Sequence, residues 1–272
     1  MRSDVLMMCR DRLKIELKQF FREREAVVFI FAFPVVMLVI FASAFGSQDQ
    51  FITGGGGVSI TAAQYYLTGM ISTGIMLTSF QNLAIFIAVE RDDGTLKRLR
   101  GTPMPAIVFF VGKIAQIAVT TVIQLAILLA VATLGYGVDL PTTGELWFRF
   151  AWLVLLGASA GSVLGIAFSS VPRSGRSASA VVTPIVLVLQ FISGVYFTYG
   201  DLPAWMHAVA SVFPLKWMAQ GMRSVFLPPQ LVAAEPGNSW HIGEGAIVLS
   251  VWLVIGLVLS VRSFRWMRRD AG

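Results

Sequence analysis

Cysteine, histidine and charged residues are all scarce in this chain of 272 residues. The single cysteine, Cys9, excludes an intramolecular disulfide framework and a cysteine-based metal cluster. The two histidines, His207 and His241, have no clear partners in the sequence, so no metal site is expected. Charged residues make up 13% of the chain, about half the share in soluble domains, which argues against an ordinary cytosolic enzyme.

Two further absences narrow the function. The sequence has no Gly-x-x-x-x-Gly-Lys-Ser/Thr loop, so we do not expect the chain to hydrolyse ATP by itself. No acid or base lies in the middle of a long apolar run. This argues against a proton-coupled carrier, because such a carrier needs a buried titratable relay.

Long apolar runs dominate what is present. Hydrophobic residues make up 56% of the chain and the mean hydropathy is +0.74. A helix needs roughly 20 mostly apolar residues to cross a bilayer. Six runs of that order carry almost no charge: 26–47, 60–89, 106–136, 146–171, 177–200 and 245–261. The pattern predicts an all-α polytopic membrane protein in which residues 1–272 form one transmembrane domain.

The basic residues indicate the orientation of these spans. All but three of the 21 Lys and Arg residues lie before the first run, around the second and fourth connections, or after the last run. The exceptions are Arg149, Lys216 and Arg223. The positive-inside rule therefore predicts a plasma-membrane protein with both termini in the cytoplasm. The net charge of +6 is explained by topology, and no nucleic-acid partner is expected.

Two segments outside the spans are amphipathic. In residues 1–25, apolar residues recur at spacings of three and four between basic ones, which favours an interfacial helix over a solvated leader. The outer segment 201–244 contains two stretches too short to span, of which Pro203 and Pro214 bracket the first and Pro228-Pro229 ends the second. These stretches predict short helices lying on the outer leaflet or re-entering it, and a soluble outer hairpin is the alternative.

Residues 90–105 form the most polar block of the chain. Asp92, Asp93 and Thr95 suit the start of a short helix, and Leu96 and Leu99 would give that helix an apolar ridge. Such a helix could dock a partner protein. The residues alone leave open a second interpretation, in which the block is a solvated loop whose charges orient the spans.

This block, from Glu90-Arg91-Asp92-Asp93-Gly94-Thr95-Leu96-Lys97-Arg98-Leu99 to Pro103, resembles the signature loop of ABC-2 type transporter permeases. The similarity is strongest to permeases of the daunorubicin-resistance type, and it covers almost the whole chain. It implies the membrane subunit of an exporter that moves an amphipathic drug or natural product, a function associated with antibiotic resistance.

The resemblance also implies the partners. Two copies of an ATP-binding subunit would carry the ATP and Mg, and this chain would bind no cofactor itself. A second permease subunit, identical or related, would complete the path through the membrane lipid. The 90–105 loop would be the coupling helix that docks on the ATPase, through Glu90, Arg91, Gly94, Thr95, Leu96, Arg98, Leu99 and Arg100. We expect Glu90 to pair with Arg91, with Arg98 or with a cation of the ATPase.

Polar and small residues within the spans provide further candidates. The resemblance places the substrate path near the second and fifth spans, where the candidate residues are Met70, Phe80, Gln81, Asn82, Gln190 and Phe191. Hydrogen bonding between helices would account equally well for the polar members of this set. In the fourth span, Gly157, Gly161 and Gly165 are spaced for close helix packing, within one subunit or at a dimer seam.

Other functions remain open from the sequence. A permease with the same signature loop could export a lipid or a polysaccharide. A membrane scaffold that transports nothing would need no ATPase partner, and its 90–105 loop should tolerate charge reversal.

Overall fold

The computed structural model describes residues 2–46, 51–53 and 57–264. It confirms the predicted all-α polytopic fold, because six of the described helices are long and apolar enough to cross a membrane. They are α2 (Arg24–Ala44), the continuous helix Ala62–Asp92, α6 (Ala106–Tyr136), α7 (Gly144–Phe168), α8 (Gly175–Ile192) and α11 (Ile242–Ser263).

The second span is made of three pieces. These are α3 (Ala62–Met76), one π-helical stretch (Leu77–Gln81) and α4 (Asn82–Asp92). π-helical turns are rare and are frequently found at functional sites. The hydrophobic pattern of residues 60–89 did not predict this one, although the stretch holds the polar residues Thr78, Ser79 and Gln81.

The remaining described elements are short, apart from α1 (Arg2–Arg22). Strands β1 (Ile52–Thr53) and β2 (Ser59–Ile60) pair antiparallel, with Ile52 opposite Ile60. The other helices are α5 (Thr95–Arg100), α9 (Ala204–Ala210) and α10 (Pro214–Phe226), followed by 3₁₀ turns at Pro229–Ala234 and Pro236–Asn238.

The second span occupies the centre of the bundle. In its most apolar 18-residue stretch, 89% of the residues are buried, compared with 22% in α2 and 17% in α11. Several of its buried hydroxyls are satisfied within the helix: Ser72 Oγ donates to Thr68 O (3.0 Å) and Ser79 Oγ to Ile75 O (2.6 Å). These bonds back to the preceding turn allow polar residues to lie in an apolar interior.

The fifth span is shorter than the predicted 177–200. Helix α8 ends at Ile192, and Gly194 then adopts a left-handed conformation with φ of +72°. A Cβ at Gly194 would lie 2.7 Å from Cβ of Tyr199, so the chain turns sharply at a position where only glycine fits. Residues 195–198 therefore form an irregular segment, which a 3₁₀ turn at Tyr199–Asp201 follows.

Of the two outer helices, α9 keeps an exposed face, whereas every residue of α10 is buried. Helix α10 packs against α3, α7 and α11, so it lies inside the bundle. The sequence predicted a short helix that lies on the outer leaflet or re-enters it, with Lys216 and Arg223 interrupting its apolar run. In the structure Arg223 is paired with Glu235, which lies between the two 3₁₀ turns that follow α10, and this pair compensates the buried charge.

Candidate functional site

A tight turn joins the second span to the short helix α5. Gly94, between α4 and α5, has a φ of +79°, a left-handed conformation that favours glycine. The carboxylate of Asp93 accepts a hydrogen bond from the backbone N–H of Thr95 (2.8 Å) and so satisfies a free donor at the start of α5. Gly94 and Asp93 together fix the direction in which α5 leaves the bundle.

Helix α5 has one apolar side and one basic side. Leu96 is fully buried and belongs to a cluster with Leu83, Ile87, Phe109, Ile117 and Ile166. Leu99 packs against the same cluster. Lys97, Arg98 and Arg100 are exposed. The helix is therefore held to the bundle by leucines and presents three cations outward.

The corner before α5 is also tied to the connection between α7 and α8. Arg91 donates to the backbone O of Ser169 (2.6 Å) and to its Oγ (3.0 Å). Asp92 accepts from the backbone N–H of Gly175 at the start of α8 (3.1 Å). A displacement of α5 would therefore be transmitted to the ends of α4 and α7 and to the start of α8.

Behind this corner lies a buried cluster of four charges. Lys113 Nζ lies 2.6 Å from Glu90 Oε1 and 2.8 Å from Glu16 Oε2, and Glu16 also pairs with Arg12. All four side chains are buried. The guanidinium of Arg12 and the ammonium of Lys113 also lie over the ring of Phe109. The two cations and two carboxylates balance, which is what permits four charges to be buried together.

The cluster joins three elements: α1 through Arg12 and Glu16, the end of the second span through Glu90, and α6 through Lys113. A Cβ at Gly112 would lie 2.5 Å from Cγ of Arg12, so this glycine lets α1 lie close against α6. The expectation that Glu90 pairs with Arg91 or Arg98 is wrong. Its partner is Lys113, because the start of α6 folds back against the end of α4.

Sequence reasoning missed the roles of Arg12, Glu16 and Lys113. The available signals were an Arg and a Glu four residues apart on an amphipathic helix, and a lone Lys at the start of an apolar span. Each of these signals is common on its own. Only the packing of α1 on α6 brings them together.

The six candidate substrate-path residues do not share one surface. Met70 and Gln190 are fully buried, and Gln190 pairs with the hydroxyl of Tyr196. Phe191 is exposed and packs against Tyr196 and Phe197. Phe80 lines an apolar cavity of about 390 Å³ between the second span, α7 and α11.

Gln81 and Asn82 line a different cleft, of about 480 Å³, between α2, the second span and α8. Gln81 Nε2 lies 3.5 Å from Thr183 Oγ1 across this cleft. The second and fifth spans therefore do face each other here. Of the six candidates, Gln81 and Asn82 are the two that this cleft brings together.

The three glycines of α7 pack against elements of the same chain. A Cβ at Gly161 would lie 2.1 Å from Ser79 Oγ, and one at Gly165 would lie 2.8 Å from Phe80 O. A Cβ at Gly157 would meet Met218 of α10. Gly161 and Gly165 thus face the π-helical turn of the second span, which lies directly against α7 at this level.

A second buried charge group lies at the opposite end of the bundle. Arg223 donates to both carboxylate oxygens of Glu235, and Gln220 Nε2 also donates to Glu235 (3.0 Å). Lys216 Nζ lies 3.3 Å from the ring centroid of Trp217. Burial, with the nearby charge of Arg223 as a smaller cause, lowers the pKa of Lys216 to about 8. This group locks α10 to the segment that follows it.

The chain is similar to known transport proteins. The sequence profile of the ABC-2 type transporter family matches residues 12–227. An Escherichia coli K12 protein named as a multidrug ABC transporter permease, YbhR, is 24% identical over 162 residues, which is 59% of this chain. A Porphyra purpurea protein named as a transport permease, ycf38, is 22% identical over 237 residues, or 85% of this chain and 75% of its own length. The match spans 42% of the length of the E. coli relative.

Proposed function

Because this chain belongs to the ABC-2 type transporter family, whose members are membrane subunits of ABC transporters, we propose that it exports an amphipathic drug or natural product. The energy comes from ATP hydrolysed on two copies of a separate ATP-binding subunit. A second permease subunit, identical or related, completes the path. The multidrug name of the E. coli relative supports a drug-like cargo.

The observation that carries this proposal is the construction of α5. Its leucines fasten it to the bundle and its three cations are exposed, as a docking helix requires. ABC-2 permeases work with ATP-binding subunits, and α5 is the surface we assign to that contact. Both termini are then cytoplasmic, which agrees with the distribution of Lys and Arg.

Force from the ATPase would enter the bundle through the contacts described above. Movement of α5 acts on the second span through Gly94 and on the α7–α8 connection through Arg91 and Asp92. The ion pairs of Lys113 connect α1 and α6 to the end of the second span, so these helices would move together with it. The cleft between the second span and α8 is the place where such movement would change access for a cargo.

Charge reversal on α5 tests the proposal. Inside-out vesicles that contain this chain and its ATP-binding subunit should take up daunorubicin when ATP is added. The K97E/R98E/R100E variant should lose most of this uptake, because three outward cations become anions.

The matched control is R173E/R176E, which reverses two exposed cations, one in the α7–α8 connection and one in the first turn of α8, and should keep the uptake. Uptake by the α5 variant at the wild-type rate, with equal amounts of protein in the membrane, would contradict the proposed docking role.

A further inference from the structure

The apolar cavity that Phe80 lines is separate from the cleft of Gln81 and Asn82. Its wall is formed by residues of the second span, α7, α8, α10 and α11. Helix α8 packs on the second span and α11 packs on α7, and these two helices do not pack closely on each other. Ile185 of α8 and Leu259 of α11 are exposed and line the cavity, so it opens sideways between the two helices, towards the bilayer.

The cavity extends over about half of the membrane depth. Its inner end lies near the middle of the bundle, where the rings of Phe213 and Trp252 stack with centroids 6.2 Å apart and Trp252 Nε1 donates to Val212 O (2.6 Å). From Trp252, in the middle of α11, the wall continues to Ser263 at the end of that helix. At the rise of an α-helix this distance is roughly 16 Å, half of a hydrocarbon core ~30 Å thick. One acyl chain of a single leaflet covers the same depth.

The wall offers little to a polar ligand. Its serine hydroxyls already donate to backbone oxygens: Ser79 Oγ to Ile75 O (2.6 Å). Ser170 Oγ and Ser263 Oγ both donate to Ala167 O (2.8 and 3.3 Å). No charged side chain is among the described residues of this wall. A buried water typically needs about three polar partners, so the cavity suits a hydrocarbon ligand better than water.

The remaining wall can adapt to a flexible ligand. Met76 and Met218 contribute thioether side chains, which fill irregular apolar space well. The volume of about 390 Å³ lies in the lower part of the range of small-molecule sites. A slender apolar ligand that enters from the side fits these properties.

We propose that this cavity holds one acyl chain of a bilayer phospholipid, which enters between α8 and α11 from the leaflet on the side of α5. The end of the cavity at Ser263 lies on that side, because the next residue, Phe264, packs against the cluster that contains Leu96. In the orientation proposed above this is the cytoplasmic leaflet. The lipid is a resident part of the structure and is not the cargo, so the inference is independent of the cargo proposed above. Because Ser79 and Phe80 of the π-helical turn line the cavity, the acyl chain packs directly against the second span.

A photoactivatable lipid tests the site. The purified full chain is irradiated in nanodiscs that contain phosphatidylcholine with a diazirine at the end of one acyl chain, and the labelled residues are identified by peptide mass spectrometry. Met218 should be labelled although it is only 2% exposed, because it lines the cavity. Val188, an exposed residue of α8 outside the wall, is the internal reference, since any lipid around the bundle can reach it.

Two variants locate the label. I185W/L259W should fill the opening of the cavity and abolish labelling of Met218, while the label on the reference residue stays unchanged. The matched control is L187W/L257W, which adds the same side chains at exposed positions of the same two helices, outside the wall. It should label Met218 as the wild type does.

Labelling of Val188 without Met218 in the wild type would overturn the inference, whether the cavity is closed or covered by a second copy of the chain. Labelling of Met218 that survives in I185W/L259W would overturn it as well. With the ATP-binding subunit present, ATP should leave the label on Met218 unchanged. Loss of that label during ATP hydrolysis would identify a transported lipid, which contradicts a resident one. None of these results depends on whether α5 docks the ATPase.

Discussion

Lys113 is the side chain on which the buried charge cluster depends. It forms ion pairs with both Glu16 and Glu90, and so links the two carboxylates contributed by α1 and the second span. The cluster lies under α5, the helix that we expect to receive the ATPase. Its neutrality makes it tolerable in the interior, so its members should respond to substitution as a group.

Substitution of Lys113 alone should be strongly destabilising. In K113M, Glu16 and Glu90 remain buried against a single cation, and the free energy of unfolding should fall by about 3 kcal/mol or more. The double variant K113M/E90Q restores neutrality and should recover a substantial part of the loss. Denaturant unfolding of the purified chain in detergent measures both values.

The control for this cycle is K14M, which removes an exposed lysine of α1 and should change the free energy of unfolding by less than about 0.5 kcal/mol. If K113M were no less stable than K14M, the cluster would not be holding these elements together.

The sequence could predict which residues lie near the coupling corner but not which of them pair. Leu96 and Leu99 were predicted as an apolar ridge from their spacing alone, and the structure has Leu96 fully buried. The partner of Glu90 lies 23 residues further along the chain, on a helix whose placement depends on the packing of α6. No local pattern contains that information.

Among the helices, α7 and the π-helical turn approach closely because Gly161 has no side chain. Gly161 lies against Ser79, and the wide turn at Leu77–Gln81 brings the backbone of the second span towards α7. The small residues of α7 were visible in the sequence. The π-helical turn was not visible, because the polar residues Thr78, Ser79 and Gln81 are equally compatible with an uninterrupted α-helix.

A single added methyl group tests this contact. G161A places a Cβ at 2.1 Å from Ser79 Oγ, and overpacking of this kind should lower the free energy of unfolding by about 1–3 kcal/mol. G135A is the matched control, because a Cβ at Gly135 of α6 meets nothing within 4 Å. It should be neutral or slightly stabilising, since alanine is the better helix former.

The S79A/G161A double variant removes the hydroxyl that the new methyl group would meet and should recover part of the stability. Equal unfolding curves for G161A and G135A, recorded in the same detergent, would show that α7 does not depend on this close approach.

The burial of helix α10 depends on residues outside the helix that neutralise its charges. The sequence predicted a short helix that lies on the outer leaflet or re-enters it, and in the structure all residues of α10 are buried, its two cations included. Glu235, outside the helix, supplies the charge for Arg223, and the ring of Trp217 lies beneath Lys216. A sequence pattern reports the charges of one segment and does not show which distant residue will neutralise them.

In the whole molecule, the two faces of α5 have different roles. The buried face, formed by Leu96 and the cluster around Lys113, holds α5 to the bundle. The exposed face, formed by Lys97, Arg98 and Arg100, is available to a partner. The number of spans was predictable from the sequence, because the thickness of the bilayer sets the length of each apolar run. The orientation was predicted from the positions of Lys and Arg, because basic residues concentrate on the cytoplasmic side.

The most direct test of this account is co-purification of the tagged chain with an ATP-binding cassette subunit encoded beside it. The wild-type chain and R173E/R176E should retain that subunit through affinity and size-exclusion steps. K97E/R98E/R100E should retain at least about tenfold less, while still eluting as a folded, monodisperse membrane protein. Retention of the subunit by the α5 variant at the wild-type level would contradict the assignment of α5 as the coupling helix.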